Sequence, residues 1–510
     1  MTAAAHPRLP ELFDAFVVGG GINGVGVARD LAGRGLRVLL CEQHDLASHT
    51  SSASSKLIHG GLRYLEHYEF RLVAKALGER EVLLKSAPHL MRSLRFVMPH
   101  DERMRPAWMI RAGLFLYDHL AKREWLPGTE RLKLRKHPTG APLQARLTTG
   151  FAYSDGWVDD ARLVVACAQD AVARGSRVLT RTACVDARRV GEHWQARLRD
   201  AAGQEQLVQA RALVNAAGPW AAQFLAEHVK QGEPERRSLR LVKGSHIVVP
   251  QCFTHDHAYI FQNPDGRILF AIPYEGRFTL IGTTDVEHHG PIGHVRISDE
   301  EIAYLCTQAS RYFATPVTPD QVLWTYAGVR PLLDDEHGNP AEVTRDYRLE
   351  LDAPEAQAPL LNLWGGKLTT FRRLAEDAAD LLAPRLGNTQ GAWTRGALLP
   401  GGDLSAWIGA PRQPDADFER FVGALTTQHP EHPPALLRRW AHAYGSAIAT
   451  LLAAPLGEEV APGVYEGELA YLRDHEWARS GEDVLWRRSK LGLHLSEAER
   501  ARVVAWVAGH

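Results

Sequence analysis

The strongest constraint on the fold lies near the start of the chain. An apolar run over residues 15–18 leads into three glycines spaced G-x-G-x-x-G, at Gly19, Gly21 and Gly24. A helical pattern follows, and a second apolar run then ends at Glu42. Strand, glycine turn, helix, strand and acid in this order indicate a dinucleotide-binding βαβ unit. A glycine-rich turn in another α/β fold is the alternative interpretation.

Each residue of this motif has a physical role. Gly19 permits the turn, Gly21 lets the backbone approach a pyrophosphate, and Gly24 lets the helix pack close to the sheet. The helix N-terminus offers unpaired N–H groups and a partial positive charge to the phosphates. Glu42 is predicted to accept hydrogen bonds from a ribose diol.

A hydroxyl-rich loop follows over residues 46–56. Taken alone it is compatible with a flexible linker. It runs directly into the segment 57–64, which is neither polar nor low in complexity. We therefore predict an ordered loop whose hydroxyls hydrogen-bond the cofactor.

Composition limits the class of protein. A chain of 510 residues is predicted to form two or three domains, and its 45% hydrophobic and 23% charged residues are typical of a soluble globular protein. The net charge of −1 argues against a nucleic-acid partner. The five cysteines are isolated, which favours a reducing compartment. Neither a signal peptide nor a membrane-spanning segment is predicted.

The order of predicted elements suggests three zones. Helical periodicity is predicted over 68–87, 106–122 and 159–174, and β-rich segments over 177–214 and 240–330. Residues 359–383 indicate a strand, a Gly-Gly turn and a helix. Beyond about residue 388 strands are expected to vanish, and Ser496 with Glu499 predicts a capping box on the last helix.

Several long motifs resemble those of the aerobic, FAD-dependent glycerol-3-phosphate dehydrogenases. The resemblance covers nearly the whole chain. One departure is Phe371, where the family usually carries a tyrosine. Besides the glycine motif, the matching segments are residues 50–66, 243–246, 282–285, 328–331, 344–347 and 365–372.

The resemblance implies an α/β fold, α+β overall, of the glutathione-reductase and amino-acid-oxidase type. It implies a Rossmann-like FAD-binding domain, an antiparallel-sheet substrate domain and a helical C-terminal domain. The FAD-binding domain is predicted from three pieces, 14–87, 150–238 and 326–388. The substrate-binding domain is predicted over 88–149 and 239–325, and the helical domain over 389–510.

The implied reaction oxidises the C2 alcohol of sn-glycerol 3-phosphate to dihydroxyacetone phosphate, with hydride transfer to flavin N5. Arginine forks suit phosphate oxygens, and a histidine near pKa 6.5 suits proton transfer. His59 and His246 are the base candidates, with a structural histidine as the alternative for each. Arg330 is expected to share charge on the C2 oxygen. The predicted substrate-binding residues are Arg63, Tyr64, Arg330, Arg345, Lys367 and Thr369.

FAD is the predicted cofactor, held without a covalent link, and no metal site is predicted. The Gly-Gly turn at 365–366 is expected to lie by the pyrimidine part of the flavin. The predicted cofactor-binding residues are Gly19, Gly21, Ile22, Asn23, Gly24, Glu42, Thr50, Ser51, Ser52, Ser55, Lys56, Leu57, His59, Gly60, Gly61, Gly218, Gly366, Lys367, Leu368 and Thr369.

The family passes its electrons to membrane quinone, so the resemblance implies a cytoplasmic enzyme bound peripherally to the inner face of the cell membrane. Residues 104–117 combine arginines with Trp108, Phe115 and Tyr117, and suggest an interfacial helix. An amphipathic helix packed on its own protein is the alternative. Further alternatives are an oxidase that uses oxygen, an amino-acid oxidase and a flavin-binding sensor. A homodimer is compatible with the sequence.

Overall fold

The computed structural model describes residues 12–101, 105–230, 239–333 and 346–510. Its strands, in chain order, are β1 (Ala15–Val18), β2 (Val38–Cys41), β3 (Leu57–Ile58), β4 (Met91–His100), β5 (Glu130–Lys133), β6 (Thr149–Val158), β7 (Arg177–Leu179), β8 (Thr182–Val190), β9 (His193–Asp200), β10 (Glu205–Ala210), β11 (Leu213–Asn215), β12 (Val229–Lys230), β13 (Leu239–Pro250), β14 (Ala258–Gln262), β15 (Ile268–Tyr274), β16 (Phe278–Gly282), β17 (Val286–Glu287), β18 (Trp324–Leu333), β19 (Arg348–Asp352), β20 (Leu360–Trp364), β21 (Glu459–Ala461) and β22 (Val464–Tyr465).

The α-helices, in chain order, are α1 (Ile22–Gly33), α2 (Phe70–Ser86), α3 (Ala107–His119), α4 (Asp160–Ala173), α5 (Ala221–His228), α6 (Asp299–Ser310), α7 (Phe371–Leu382), α8 (Ser405–Ile408), α9 (Pro414–Gln428), α10 (Pro434–Tyr444), α11 (Ile448–Leu452), α12 (Glu466–Glu476) and α13 (Glu497–Gly509).

A six-stranded sheet carries the glycine motif. Its order is β19-β20-β11-β1-β2-β7, and every neighbouring pair is parallel except β19 with β20. The apolar run of β1 is buried on both faces because its side chains alternate. Ala15 and Val17 join a core with α1, α4 and α7, whereas Phe16 and Val18 join a second core beneath a four-stranded sheet. The predicted βαβ unit is therefore confirmed.

A ten-stranded, mostly antiparallel sheet stands beside this unit. Its main order is β17-β13-β16-β15-β14-β4-β6-β3, with β18 paired to β13 and β5 paired to β6. Successive side chains of β13 also face opposite sides of its sheet. Ile247 and Val249 face a core that includes α6, and Val248 faces another that includes α2 and α3. These strands supply the β-rich zone that the sequence predicted.

The C-terminal helices α9 to α13 surround a core of their own that includes Phe421, Leu437 and Trp440. Buried ion pairs join this part to the rest of the chain, such as Arg488 with Asp45 at 2.6 Å. The predicted capping box of Ser496 and Glu499 is confirmed.

Two details differ from the sequence analysis. The expectation that strands vanish beyond residue 388 is wrong for the short hairpin of β21 and β22. In addition, β6 and β18 pair within the ten-stranded sheet, although the predicted boundaries assign most of both to the FAD-binding pieces. Long apolar strands do not reveal their partners, because pairing joins residues far apart in the chain. The division into three domains stays a prediction.

Candidate active site

A cavity of about 570 Å³ is lined by residues of both large sheets. Most of the predicted site residues meet there, although they come from distant parts of the chain. The predicted residues that line it are Gly19, Gly21, Ile22, Asn23, Glu42, Thr50, Ser51, Ser55, Leu57, His59, Gly61, Arg63, Tyr64, Gly218, His246, Arg330, Gly366, Lys367, Leu368 and Thr369.

The glycine motif forms what we call the nucleotide cradle, the segment from Gly19 to Glu42. Gly19 has φ +115°, and a Cβ there would lie 2.4 Å from the Ala216 carbonyl oxygen. A Cβ on Gly24 would lie 1.9 Å from the Gly19 oxygen, so Gly24 packs α1 onto the turn and does not line the cavity. Gly21 stands directly before α1 and lines the cavity. The cradle thus presents a helix N-terminus, which favours phosphate.

Glu42 closes the cradle. Its Oε2 accepts the Gly20 N–H at 2.7 Å and its Oε1 accepts the His44 N–H at 2.8 Å. Burial raises the pKa of this carboxyl, and the two N–H donors act against that rise. Each oxygen keeps a lone pair that can accept a hydrogen bond from a ribose hydroxyl.

The hydroxyl-rich loop is fixed by its own contacts. Thr50 Oγ1 donates to the Val329 carbonyl at 2.7 Å, and Ser51 Oγ accepts the Ile22 N–H at 3.0 Å. Both residues line the cavity. The loop therefore joins the nucleotide cradle to β18.

Three predicted cofactor residues from neighbouring positions do not line the cavity. The Lys56 ammonium is 1% exposed and donates to Asp160 Oδ1 at 2.7 Å. Ser52 Oγ donates to the His49 carbonyl at 3.2 Å, and Gly60 lies beneath the cavity against Tyr117. A buried ammonium requires a carboxylate partner, and Asp160 supplies it for Lys56. The cofactor contacts of Lys56, Ser52 and Gly60 stay predictions.

The second glycine turn approaches the cradle. Gly365 and Gly366 have φ of +70° and +100°, and a Cβ on Gly366 would lie 2.7 Å from Asn23 Nδ2. Asn23 Nδ2 donates to the Gly365 carbonyl at 3.2 Å. Its buried Oδ1 has no hydrogen-bond partner among the described residues. An orphaned acceptor on the cavity wall is suited to a ligand N–H or O–H group.

We call His59, Arg63, His246, Arg330 and Lys367 the basic cluster, because all five line the cavity. The Lys367 ammonium lies 3.9 Å from the centre of the Tyr64 ring, a cation–π contact. A left-handed Gly61 makes room for that ring, since a Cβ there would approach it to 2.2 Å.

Arg330 is held by two side chains from the segment that follows β16. Its guanidinium forms an ion pair with Asp285 and donates to Thr283 Oγ1 at 3.0 Å. Gly244 leaves the space that it occupies, because a Cβ there would lie 2.4 Å from Arg330 Nη2. The sequence analysis missed Asp285 and Thr283. Their motif was recognised, but nothing in it predicted which cation they orient.

His246 is buried within β13 of the ten-stranded sheet. Its Nε2 lies 2.9 Å from Ser55 Oγ, and its ring stacks on Tyr326 at 4.7 Å. Its buried Nδ1 has no hydrogen-bond partner among the described residues. Burial, reinforced by the nearby Arg330 charge, lowers the pKa of His246 well below its usual value. The ring is therefore neutral at pH 7 and able to accept a proton.

His59 lies on the loop between β3 and the Tyr64 segment. Its backbone N–H donates to Thr369 Oγ1 at 3.2 Å, and its ring lies edge-on to Phe270. Both histidine candidates thus reach the same cavity as Arg330. Arg345 lies outside the described residues, so its role stays a prediction.

Comparison with known proteins identifies the family. The profile described as "FAD dependent oxidoreductase" matches residues 14–370. The chain is 52% identical to a glycerol-3-phosphate dehydrogenase of Pseudomonas aeruginosa, covering 99% of this chain and 97% of that protein. It is also 48% identical to a D-erythritol 1-phosphate dehydrogenase of Brucella abortus, covering 98% of each. A solved glycerol-3-phosphate dehydrogenase of Bacillus halodurans, complexed with FAD, matches with a TM-score of 0.78 at 27% identity and covers 98% of this chain and 90% of that one.

The residues present fit FAD. The cradle at α1 suits a pyrophosphate, Glu42 a ribose, and the orphaned Asn23 Oδ1 a polar group of the ligand. The fold is that of the glutathione-reductase and amino-acid-oxidase type, and FAD is the cofactor. The chain therefore belongs to the FAD-dependent oxidoreductases, in the group of the FAD-dependent glycerol-3-phosphate dehydrogenases.

Proposed function

We propose that this enzyme oxidises sn-glycerol 3-phosphate to dihydroxyacetone phosphate and passes the electrons to a membrane quinone. When bound, FAD supplies the hydride acceptor at its N5 atom. The observation that carries the proposal is the basic cluster, in which three permanent cations and two histidines line the cavity that also contains the nucleotide cradle.

The cations divide into two roles. Arg63 and Lys367 lie near Tyr64, and Lys367 sits over its ring. Both side chains line the cavity, and their positive charges suit a substrate phosphate. Arg330, by contrast, is held by Asp285 and Thr283. A fixed charge of this kind suits the oxygen that becomes negative as C2 loses its hydride.

The proton of the C2 hydroxyl requires a base. His246 is neutral and its Nδ1 is unpartnered among the described residues, whereas its Nε2 faces Ser55. His59 is the second candidate. We assign the base to a histidine and the charge stabilisation to Arg330, which stays protonated at any useful pH.

Two phosphorylated polyols remain candidates for the substrate. Relatives named for glycerol 3-phosphate and for D-erythritol 1-phosphate are similar to this chain over nearly its whole length. Both compounds carry a phosphate and a secondary alcohol, so the basic cluster suits either. We favour glycerol 3-phosphate because the relative with 52% identity acts, by its name, on that compound.

An exposed apolar surface supports contact with a membrane. On α3, Trp108 and Phe115 are 69% and 63% exposed, and Arg105 and Arg111 lie on the same segment. Aromatic residues with arginines are typical of helices that lie in the bilayer interface. Within the described ranges, no helix has the length and apolar character needed to cross a bilayer. We propose peripheral binding through α3; a homodimer stays a prediction.

Anaerobic flavin bleaching tests the reaction. We expect sn-glycerol 3-phosphate to reduce the bound flavin faster than D-erythritol 1-phosphate does. Plain glycerol lacks the phosphate and should react far more slowly than either. Acid precipitation should release the flavin into the supernatant, because no covalent link is expected. A flavin that stays oxidised with glycerol 3-phosphate would exclude the proposed reaction.

Reoxidation of the bleached enzyme tests the electron acceptor. We expect a soluble quinone analogue to restore the flavin colour faster than air, with little peroxide formed. A stoichiometric yield of peroxide in air, with no response to quinone, would instead identify an oxidase.

A further inference from the structure

We propose that Tyr117 is a positioning residue of the active site, although it does not touch the cavity itself. Its hydroxyl fixes the Gly60 amide and so holds the loop of His59, Gly60 and Gly61 in place beneath the site. This role concerns the same site as the proposed function. It rests on the proposed function only in the experiment that uses glycerol 3-phosphate, whereas the hydrogen-exchange experiment needs no substrate.

The contact is direct and crowded. The Gly60 N–H donates to Tyr117 Oη at 2.8 Å. A Cβ on Gly60 would lie 2.7 Å from that hydroxyl and 2.6 Å from Leu77 Cδ2, so the loop backbone rests closely on α2 and α3. Tyr117 is buried, and water is therefore a poor substitute for its hydroxyl.

A buried charge network sets the direction of this hydrogen bond. Tyr117 donates its own proton to Asp155, whose Oδ1 and Oδ2 lie 2.8 and 2.9 Å away. Arg80 pairs with the same carboxylate at 2.8 Å and donates to the Ser154 carbonyl at 2.8 Å. Burial raises the pKa of Tyr117 well above its usual value, so the phenol keeps its proton. Because that proton goes to Asp155, the hydroxyl lone pair is left for Gly60.

The loop is held from its other end as well. The His59 N–H donates to Thr369 Oγ1 at 3.2 Å, and Gly61 adopts a left-handed φ of +76°. His59, Gly61, Arg63 and Tyr64 all line the cavity. The Gly60 N–H also lies 3.4 Å from Asp155 Oδ1, a longer contact within the same network. Loss of the Tyr117 hydroxyl leaves the Gly60 amide with only this long contact, and the residues beside it in the loop include one base candidate and one phosphate-binding candidate.

The same helix connects this loop to the surface. Tyr117 and Leu114 are the buried residues of α3, and Trp108 and Phe115 face outward. A displacement of α3 would reach the His59 loop through the Tyr117 hydroxyl. Positioning of the site is thus coupled to the helix that carries the exposed apolar surface.

Tyr117→Phe tests the inference, with Tyr259→Phe as the matched control. Tyr259 is equally buried and, like Tyr117, does not line the cavity, but its hydroxyl contacts the Thr139 carbonyl and His255 Nε2 and not the His59 loop. Hydrogen exchange of residues 57–65 in the FAD-loaded enzyme is the readout that needs no substrate. We expect exchange in Tyr117→Phe to be about 5- to 150-fold faster, as for a lost buried hydrogen bond, and unchanged in Tyr259→Phe.

Flavin reduction by glycerol 3-phosphate is the second readout. We expect Tyr117→Phe to lower the maximal rate of flavin reduction more than it weakens substrate binding. The side chains that line the cavity are all still present in this variant, but the loop that carries them is held less firmly. Asp155→Asn should act in the same direction but more weakly, since it removes the negative charge and one of the two oxygens that accept the Tyr117 proton. It therefore serves as the second variant if Tyr117→Phe folds poorly.

Exchange over 57–65 at the wild-type rate in Tyr117→Phe would overturn the inference. Equal acceleration in Tyr259→Phe would also overturn it, because the effect would then be global loosening. A wild-type flavin that glycerol 3-phosphate cannot reduce would refute the proposed function alone, and the exchange comparison would still decide the role of Tyr117.

Discussion

The nucleotide cradle and the basic cluster line one cavity but are built in different ways. The cradle spans one short stretch of chain, Gly19 to Glu42, and acts largely through backbone atoms. The basic cluster draws on segments far apart in sequence: His59 meets Thr369 across 310 residues, and Ser55 meets His246 across 191. It acts through side chains, each of which needs a partner to hold it.

This difference predicts different kinds of failure. A cradle made of backbone fails sterically, when a side chain fills the space of a glycine. A cluster made of side chains fails chemically, when a charge, a base or an orienting partner is lost. The first should remove the flavin, whereas the second should leave the flavin bound and slow its reduction.

The largest effect is expected for the base. If His246 is the base, His246→Ala should slow anaerobic flavin reduction by about 100- to 10,000-fold with FAD content kept. Because burial lowers the pKa of His246, the acid limb of the pH profile of flavin reduction should lie well below pH 6.5. The reduction rate should then be constant through neutral pH. A wild-type limb close to pH 6.5 that vanishes in His59→Ala would assign the base to His59.

Arg330→Ala provides the contrast to the histidine variants. This substitution should also slow flavin reduction, by about 100- to 1,000-fold, as for a lost oxyanion donor. It should, however, keep an acid limb in the pH profile of flavin reduction. If neither histidine variant alters the limb, the proton leaves by another route and the base assignment is wrong.

A smaller effect is expected for the phosphate site. Arg63→Ala should weaken glycerol 3-phosphate by about 10- to 150-fold, the worth of a charge-assisted contact, and should affect plain glycerol little. Arg71→Ala on the exposed part of α2 is the control, and its substrate affinity should be unchanged. Titration of flavin reduction with glycerol 3-phosphate and with plain glycerol measures the two affinities of each variant. Equal losses for both substrates would mean that Arg63 acts structurally.

The smallest free-energy change is expected in the cradle, with a different readout. Gly24→Ala places a methyl group 1.9 Å from the Gly19 carbonyl oxygen, which should cost about 1–3 kcal/mol and release FAD. Gly78→Ala in α2 meets nothing within 4 Å and should stabilise the fold by about 0.5–1 kcal/mol. Thermal unfolding and flavin content check both. A Gly24→Ala protein with full FAD content would show that the cradle tolerates the side chain.

The sequence by itself determined the features that depend on neighbours in the chain. The βαβ unit could be predicted because its strand, turn, helix and acid are consecutive, and each glycine has a local steric reason. The ordered hydroxyl loop and the final capping box were predictable for the same reason. Long family motifs also contain most of the predicted residues that line the cavity.

Only the tertiary structure decided which side chains become partners. Lys56 lies within a site motif, yet its ammonium pairs with Asp160 and does not reach the cavity. Asp285 orients Arg330, and Tyr117 supports Gly60, across gaps that no local pattern encodes. Such pairings depend on how sheets and helices pack, because a buried charge or amide is stabilised by whichever partner the fold brings within hydrogen-bonding distance.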